Sequence, residues 1–103
     1  MQEDIIYITI NHLDDFNKTY AFRVGDRIFL KKDPDNCYDD EAIVTYDERC
    51  CKCGYVANSV HSVIRGTYSA GRIYDRFRKE AQCTVRFISE EALIAEVDLT
   101  LTE

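Results

Sequence analysis

Along the first dozen positions, "DIIYITINHL" alternates apolar and polar residues and is rich in isoleucine, which predicts a strand over 4–12, with "AFRV" as a further short candidate. "DRIFLKKD" follows the turn signal "VG" and reads as a strand that sends Ile28 and Leu30 to one face. The run "DPDNCYDDEA" is built of turn-forming residues. After it, "AIVTY" and "CKCGYVA", separated by "DER", have the pattern of a β-hairpin. The period then changes. "NSVHSVIRG" opens on the capping pair Asn58-Ser59, spaces Val60, Val63 and Ile64 at helical intervals and stops at Gly66. "SAGRIYDRFRK" repeats that logic, with Ser69 as cap, Ile73 and Phe77 one turn apart, and Arg72, Arg76 and Lys79 on the other side. Two more strands, "AQCTVRFI" and "ALIAEVDL", flank "SEE".

These elements add up to a mainly β (α+β) chain of six or seven strands with two short helices. So many short strands favour closure, because a closed sheet leaves no unpaired edge. The expected architecture is a small OB-like or SH3-like β-barrel. A length of 103 residues fits a single domain over 1–103, large enough to bury a modest core without staples. There is no internal repeat, low-complexity tract or linker pattern.

Composition narrows the function classes. With 13 basic against 19 acidic residues the net charge is -6, so attraction to nucleic acid or an anionic membrane must come from a local patch. No apolar run approaches the roughly 20 residues that cross a bilayer, and "MQEDIIYITI" is acidic where a signal peptide is basic. The expectation is a soluble, cytoplasmic protein without membrane contact. The odd count of five cysteines, four of them at positions 37, 50, 51 and 53, is a poor disulfide framework and points to reduced thiols.

The string "RCCKCG" contains C-x-x-C-G, half of a zinc pattern, but Cys37, Cys83, His12 and His61 form no second close pair. Strand alternation sends Cys50 and Cys53 to opposite faces and sets Cys51 beside Cys53, so no metal or other cofactor is expected. The acidic loop fails the calcium-loop test: Asp33 and Asp35 fit, but Tyr38 stands where glycine is needed and Val44 replaces the bidentate glutamate. His12 and His61 are the only imidazole bases, no nucleophile is paired with either, and no phosphate loop or hydrolase elbow is present. The chain therefore reads as a non-enzyme.

Between Asn58 and Lys79 there are five lysines and arginines and one acid, a locally cationic segment helped by Lys31 and Lys32. Tyr38, Tyr55, Tyr68 and Tyr74 lie in or beside the same segments. Tyrosines among cations are how single strands are bound without reading sequence, and tyrosines also pack cores. Spacing alone leaves both uses open.

The series Asp33, Pro34, Asn36, Tyr38, Asp39, Ala42, Ile43, then Gly54, Tyr55 and Val56 after the hairpin, resembles the signature of the HIRAN domain family. The likeness runs over roughly 5–99. It implies a modified OB-type barrel that grips the 3′-hydroxyl end of single-stranded or damaged DNA. Tyr38 would stack on the terminal nucleotide, Asp39 would accept a hydrogen bond from the 3′-hydroxyl, and Gly54 and Tyr55 would line the neighbouring wall. Asn36, Asn58, Lys31, Lys32, Arg72 and Arg76 complete the expected set, the last four holding phosphates. Two positions depart from the pattern: Cys37 replaces a proline, and "NHLDDFNKTYAF" offers Phe16 and Tyr20 where DNA-binding members carry an arginine and paired tyrosines. With the net negative charge, this keeps open an alternative, a protein-interaction barrel without the DNA pocket.

Overall fold

The computed structural model describes residues 5–11, 13 and 21–99. Among the described residues there are six strands: β1 (Ile6–Asn11), β2 (Arg27–Lys32), β3 (Ile43–Tyr46), β4 (Lys52–Val56), β5 (Glu80–Ile88) and β6 (Leu93–Asp98). They close in the order β1-β4-β3-β2-β5-β6, every pair antiparallel. Alternation fills the interior. Ile6, Ile8 and Ile10 of β1, Ile28 and Leu30 of β2, Ile43, Val85 and Leu93 are at most 2% exposed. Each such side chain contributes roughly 1.5–3 kcal/mol on burial, so the isoleucine-rich strands supply the main driving force.

The barrel is thus mainly β, with six strands and one short α-helix. Both strand hairpins form as expected. The candidate strand "AFRV" does not. Phe22 is buried, but Val24 is 63% exposed and Gly25 turns with φ 101°. There the Gly25 amide donates to the Val85 carbonyl and the Val85 amide to the Asp26 carbonyl, hooking a turn onto β5.

The helix expected from Asn58 is replaced by consecutive turns. Its apolar face has nothing to bury: Val60 is 89% exposed and Ile64 is exposed as well. An isolated turn of helix is not stable without a packed face. The polar groups that would cap it have other partners. The Ile64 amide donates to Thr9 Oγ1, and both ends of the Asn58 amide bond residues distant in sequence. The segment instead lays Tyr68 against β1, where its amide donates to the Tyr7 carbonyl.

In the second helical segment Ser69 caps as expected, accepting from the Arg72 amide. The α-helix α1 spans only Ala70–Ile73 and continues as one turn of 3₁₀ helix, Tyr74–Arg76. Phe77 is already extended, with φ -145°. Ile73 and Phe77 are both buried, so the short helix is a lid on the core. No described helix is long and apolar enough to cross a membrane.

The β3–β4 turn corrects the cysteine reading. Cys50 sits in the turn with φ 66°, Cys51 precedes β4 and is exposed, and Cys53 is buried, so Cys51 and Cys53 do not share a face. Cys51 lies in the turn ahead of the strand, and an irregularity opposite Thr45/Tyr46 leaves Cys53 as the extra residue of β4, turned inward with its Sγ 3.2 Å from Thr45 Oγ1.

Candidate nucleic-acid interface

The loop 33–42 is held by its own side chains. Its base closes through the Asp33 amide and the Ala42 carbonyl at 2.9 Å. Asn36 Oδ1 accepts from the amides of Tyr38 (2.9 Å) and Asp39 (3.0 Å), an Asx-type turn that sets the direction of both residues. Asp39 Oδ1 accepts from the Glu41 amide, and Asp39 Oδ2 accepts from Asn58 Nδ2 at 2.9 Å. Asn58 Oδ1 in turn accepts from the Gly71 amide at 2.8 Å. One chain of bonds therefore fixes the Tyr-Asp pair against the end of β4 and the start of α1.

Beside this loop opens a groove of about 660 Å³. Five of the expected residues line it: Asn36, Tyr38, Asp39, Tyr55 and Asn58. Ala42, Val56 and Ala57, all buried, give it an apolar floor, and Asn11, Ser59 and Ser62 add polar groups that the sequence reading did not single out. Asn11 Oδ1 is buried without a hydrogen-bond partner among the described residues. That acceptor belongs to β1, where register places Asn11 opposite Tyr55. Its signal in the sequence was only a polar residue at the end of an apolar strand.

Tyr38 is 98% exposed, so its whole ring is presented to solvent. Asp39 keeps acceptor capacity, because a carboxylate has about four lone-pair sites and the described partners use one on each oxygen. Asp39, Asp40 and Glu41 bring carboxylate oxygens within 4.8 Å of one another, which makes this lip of the groove anionic. Lys52 does not itself line the groove, but its Nζ donates to the hydroxyl of the lining residue Tyr55 at 2.8 Å and lies 4.6 Å from that ring. The bond to Tyr55 holds the Lys52 ammonium above its ordinary range.

Gly54 explains how the wall at Tyr55 forms. A Cβ there would lie 2.5 Å from the Asn11 carbonyl oxygen and 3.1 Å from Leu13, so only glycine lets β1 approach β4 this closely.

The remaining expected cations do not line the groove. Lys31 Nζ pairs with Glu80 at 3.4 Å and lies 5.8 Å from the Tyr46 ring. Lys32 Nζ stands 4.4 Å from the Tyr74 ring and 5.1 Å from that of Phe77. Arg72 covers the Tyr68 ring at 4.1 Å, and Arg76 lies 6.0 Å from the same ring. Phe16, Tyr20 and His12 fall outside the described residues. The thiols divide by burial: Cys37, Cys50 and Cys51 are exposed, whereas burial pushes Cys83 far above the ordinary thiol range.

A protein from Lactobacillus plantarum of known crystal structure is similar in fold, with a TM-score of 0.61 and 19% identity over 91% of this chain and 93% of that one. No curated protein sequence matches the chain. The sequence model of the HIRAN domain matches residues 9–87, a span that includes the loop 33–42, the Gly54-Tyr55 wall and α1. By that match the chain belongs to the HIRAN domain family, whose members are nucleic-acid-binding modules.

Proposed function

We propose that the domain is a non-enzymatic module that binds the 3′-hydroxyl end of single-stranded DNA in the groove between the loop 33–42 and β4. The observation that carries this reading is the pairing of a fully presented ring, Tyr38 at 98% exposure, with a pinned carboxylate, Asp39, at the lip of the same groove. Tyr38 is the most exposed of the described large apolar and aromatic side chains, and a ring left in water at a groove is a surface for stacking to which a base offers the matching face. Asp39 accepts a hydrogen bond from a hydroxyl and repels a phosphate, so it selects unphosphorylated ends. Tyr55 and the apolar floor flank the terminal nucleotide, and Asn36 and Asn58 hold the Tyr-Asp pair in place. Lys31, Lys32, Arg72 and Arg76 enter as outlying positive charge rather than as groove lining.

Fluorescence anisotropy with otherwise identical single strands ending in 3′-hydroxyl or 3′-phosphate tests the reading. Preferential binding of the hydroxyl end is expected, and Asp39→Asn should reduce that preference. Equal affinity for both ends removes end recognition, and no binding at low salt leaves the protein-interaction barrel as the function.

A further inference from the structure

We infer that Lys52, rather than the arginines of the 68–79 segment, takes the phosphate that follows the terminal nucleotide, so that the strand leaves the groove over the outer face of β4 and β3. The inference rests on the end-binding reading and specifies its electrostatics.

An end held at Tyr38 and Asp39 carries its first phosphate one nucleotide away, and that charge must settle somewhere on the rim. The lip built from Asp39, Asp40 and Glu41 repels it. Lys52 attracts it, because its ammonium is bonded to the hydroxyl of Tyr55, a ring that itself lines the groove. A tyrosine hydroxyl both donates and accepts, so the Lys52–Tyr55 pair offers a charged donor and a neutral one together. Lys52 is exposed, so a phosphate reaches it without displacing core packing. Among the described acids, the Asp33 charge reaches Lys52, and Asp33 Oδ2 accepts a bond from Asn36 Nδ2.

Register gives the strand a path beyond that point. Lys52 pairs with Tyr46 across β4 and β3, and Tyr46 pairs with Phe29 on β2, so these three side chains share the outer face. Tyr46 and Phe29 are half-buried, with Lys31 5.8 Å from the Tyr46 ring. The next base after Lys52 therefore meets an aromatic residue. Tyr46, Phe29 and Lys31 themselves line a second cavity of about 320 Å³ together with Asp47, Glu48 and Glu80, so a further phosphate meets carboxylates there and the path ends at Tyr46.

The test is the salt dependence of binding to a 5′-labelled oligothymidylate with a free 3′-hydroxyl. Each phosphate contact to a single strand contributes about 0.7 to the slope of log affinity against log salt. Lys52→Ala is expected to lower that slope by about 0.7, so that its deficit against wild type shrinks about 2.5-fold between 50 and 200 mM salt. Lys52→Arg should restore the slope. Tyr55→Phe should keep it, since the ring stays and the ammonium remains. Arg72→Ala and Arg76→Ala should leave it unchanged. A wild-type slope in Lys52→Ala, or the loss appearing in Arg72→Ala or Arg76→Ala instead, overturns the inference while leaving end binding intact. Absence of wild-type binding at low salt overturns both.

Discussion

The loop 33–42 and the segment 68–79 both combine tyrosines with charged residues, yet they use their rings in opposite ways. In the loop, Asn36 holds the backbone of Tyr38 and Asp39, and the Tyr38 ring is left uncovered in water. In the segment, Tyr68 and Tyr74 pack partly against the core and their remaining faces are covered by Arg72 and Lys32. Lys52 stands over the Tyr55 ring in the same way, so the contrast is one of position: Tyr55 and Tyr38 line the groove, whereas Tyr68 and Tyr74 do not. Net cationic character in a stretch of chain is thus a poor guide to a binding surface. What matters is which rings and charges the fold sets at the groove.

Five substitutions break or sharpen this contrast. The largest effect is expected for Gly54→Ala, which forces a Cβ against the Asn11 carbonyl. A loss of about 3 kcal/mol in denaturant unfolding is expected, because backbone meets backbone and neither can rotate away. Unchanged stability would mean that β1 can retreat from the groove wall.

Next come the two tyrosines as a matched pair. Tyr38→Ala should weaken single-strand binding about 5- to 150-fold, the range of one lost base-stacking contact, and leave the melting temperature almost unchanged. Tyr68→Ala should do the reverse, costing about 2 kcal/mol of stability with little change in binding, since its ring packs on the core. A binding defect in Tyr68→Ala equal to that of Tyr38→Ala would erase the distinction between the two regions.

A smaller effect is expected for Asn36→Ala. It removes the acceptor shared by the Tyr38 and Asp39 amides, worth about 1 kcal/mol, and should appear as faster amide exchange at both positions together with weaker binding. The smallest belongs to Arg72→Ala, about 0.5–1 kcal/mol of stability from the lost contact with Tyr68, read by thermal melting.

Strand positions were legible from the chain because alternation has one physical cause, a sheet with a wet face and a dry one. Ile6, Ile8, Ile10, Ile28 and Leu30 announced their burial in this way. The groove's Tyr38, Asp39, Gly54 and Tyr55 were legible through the family signature, since the loop is built from local Asx-type bonds that short-range sequence encodes. The helix expected from Asn58 was misread because capping residues and helical spacing are local signals. Here Asn58 bonds Asp39 and Gly71, and Val60 has no core to face. Cys51 and Cys53 were misread because the irregularity at Thr45/Tyr46 depends on how β3 and β4 register.

By itself, then, the sequence determined that a small β-rich domain forms, which residues fill it, and that a Tyr-Asp pair stands on a turn before a hairpin. Only the tertiary structure decided that Asn11 joins that pair in the groove lining, that Lys52 bonds the lining Tyr55, and that Lys31, Lys32, Arg72 and Arg76 stand elsewhere. The reason is that barrel closure sets neighbours by strand order, β1 beside β4 and β4 beside β3, across gaps in the chain that no local pattern spans.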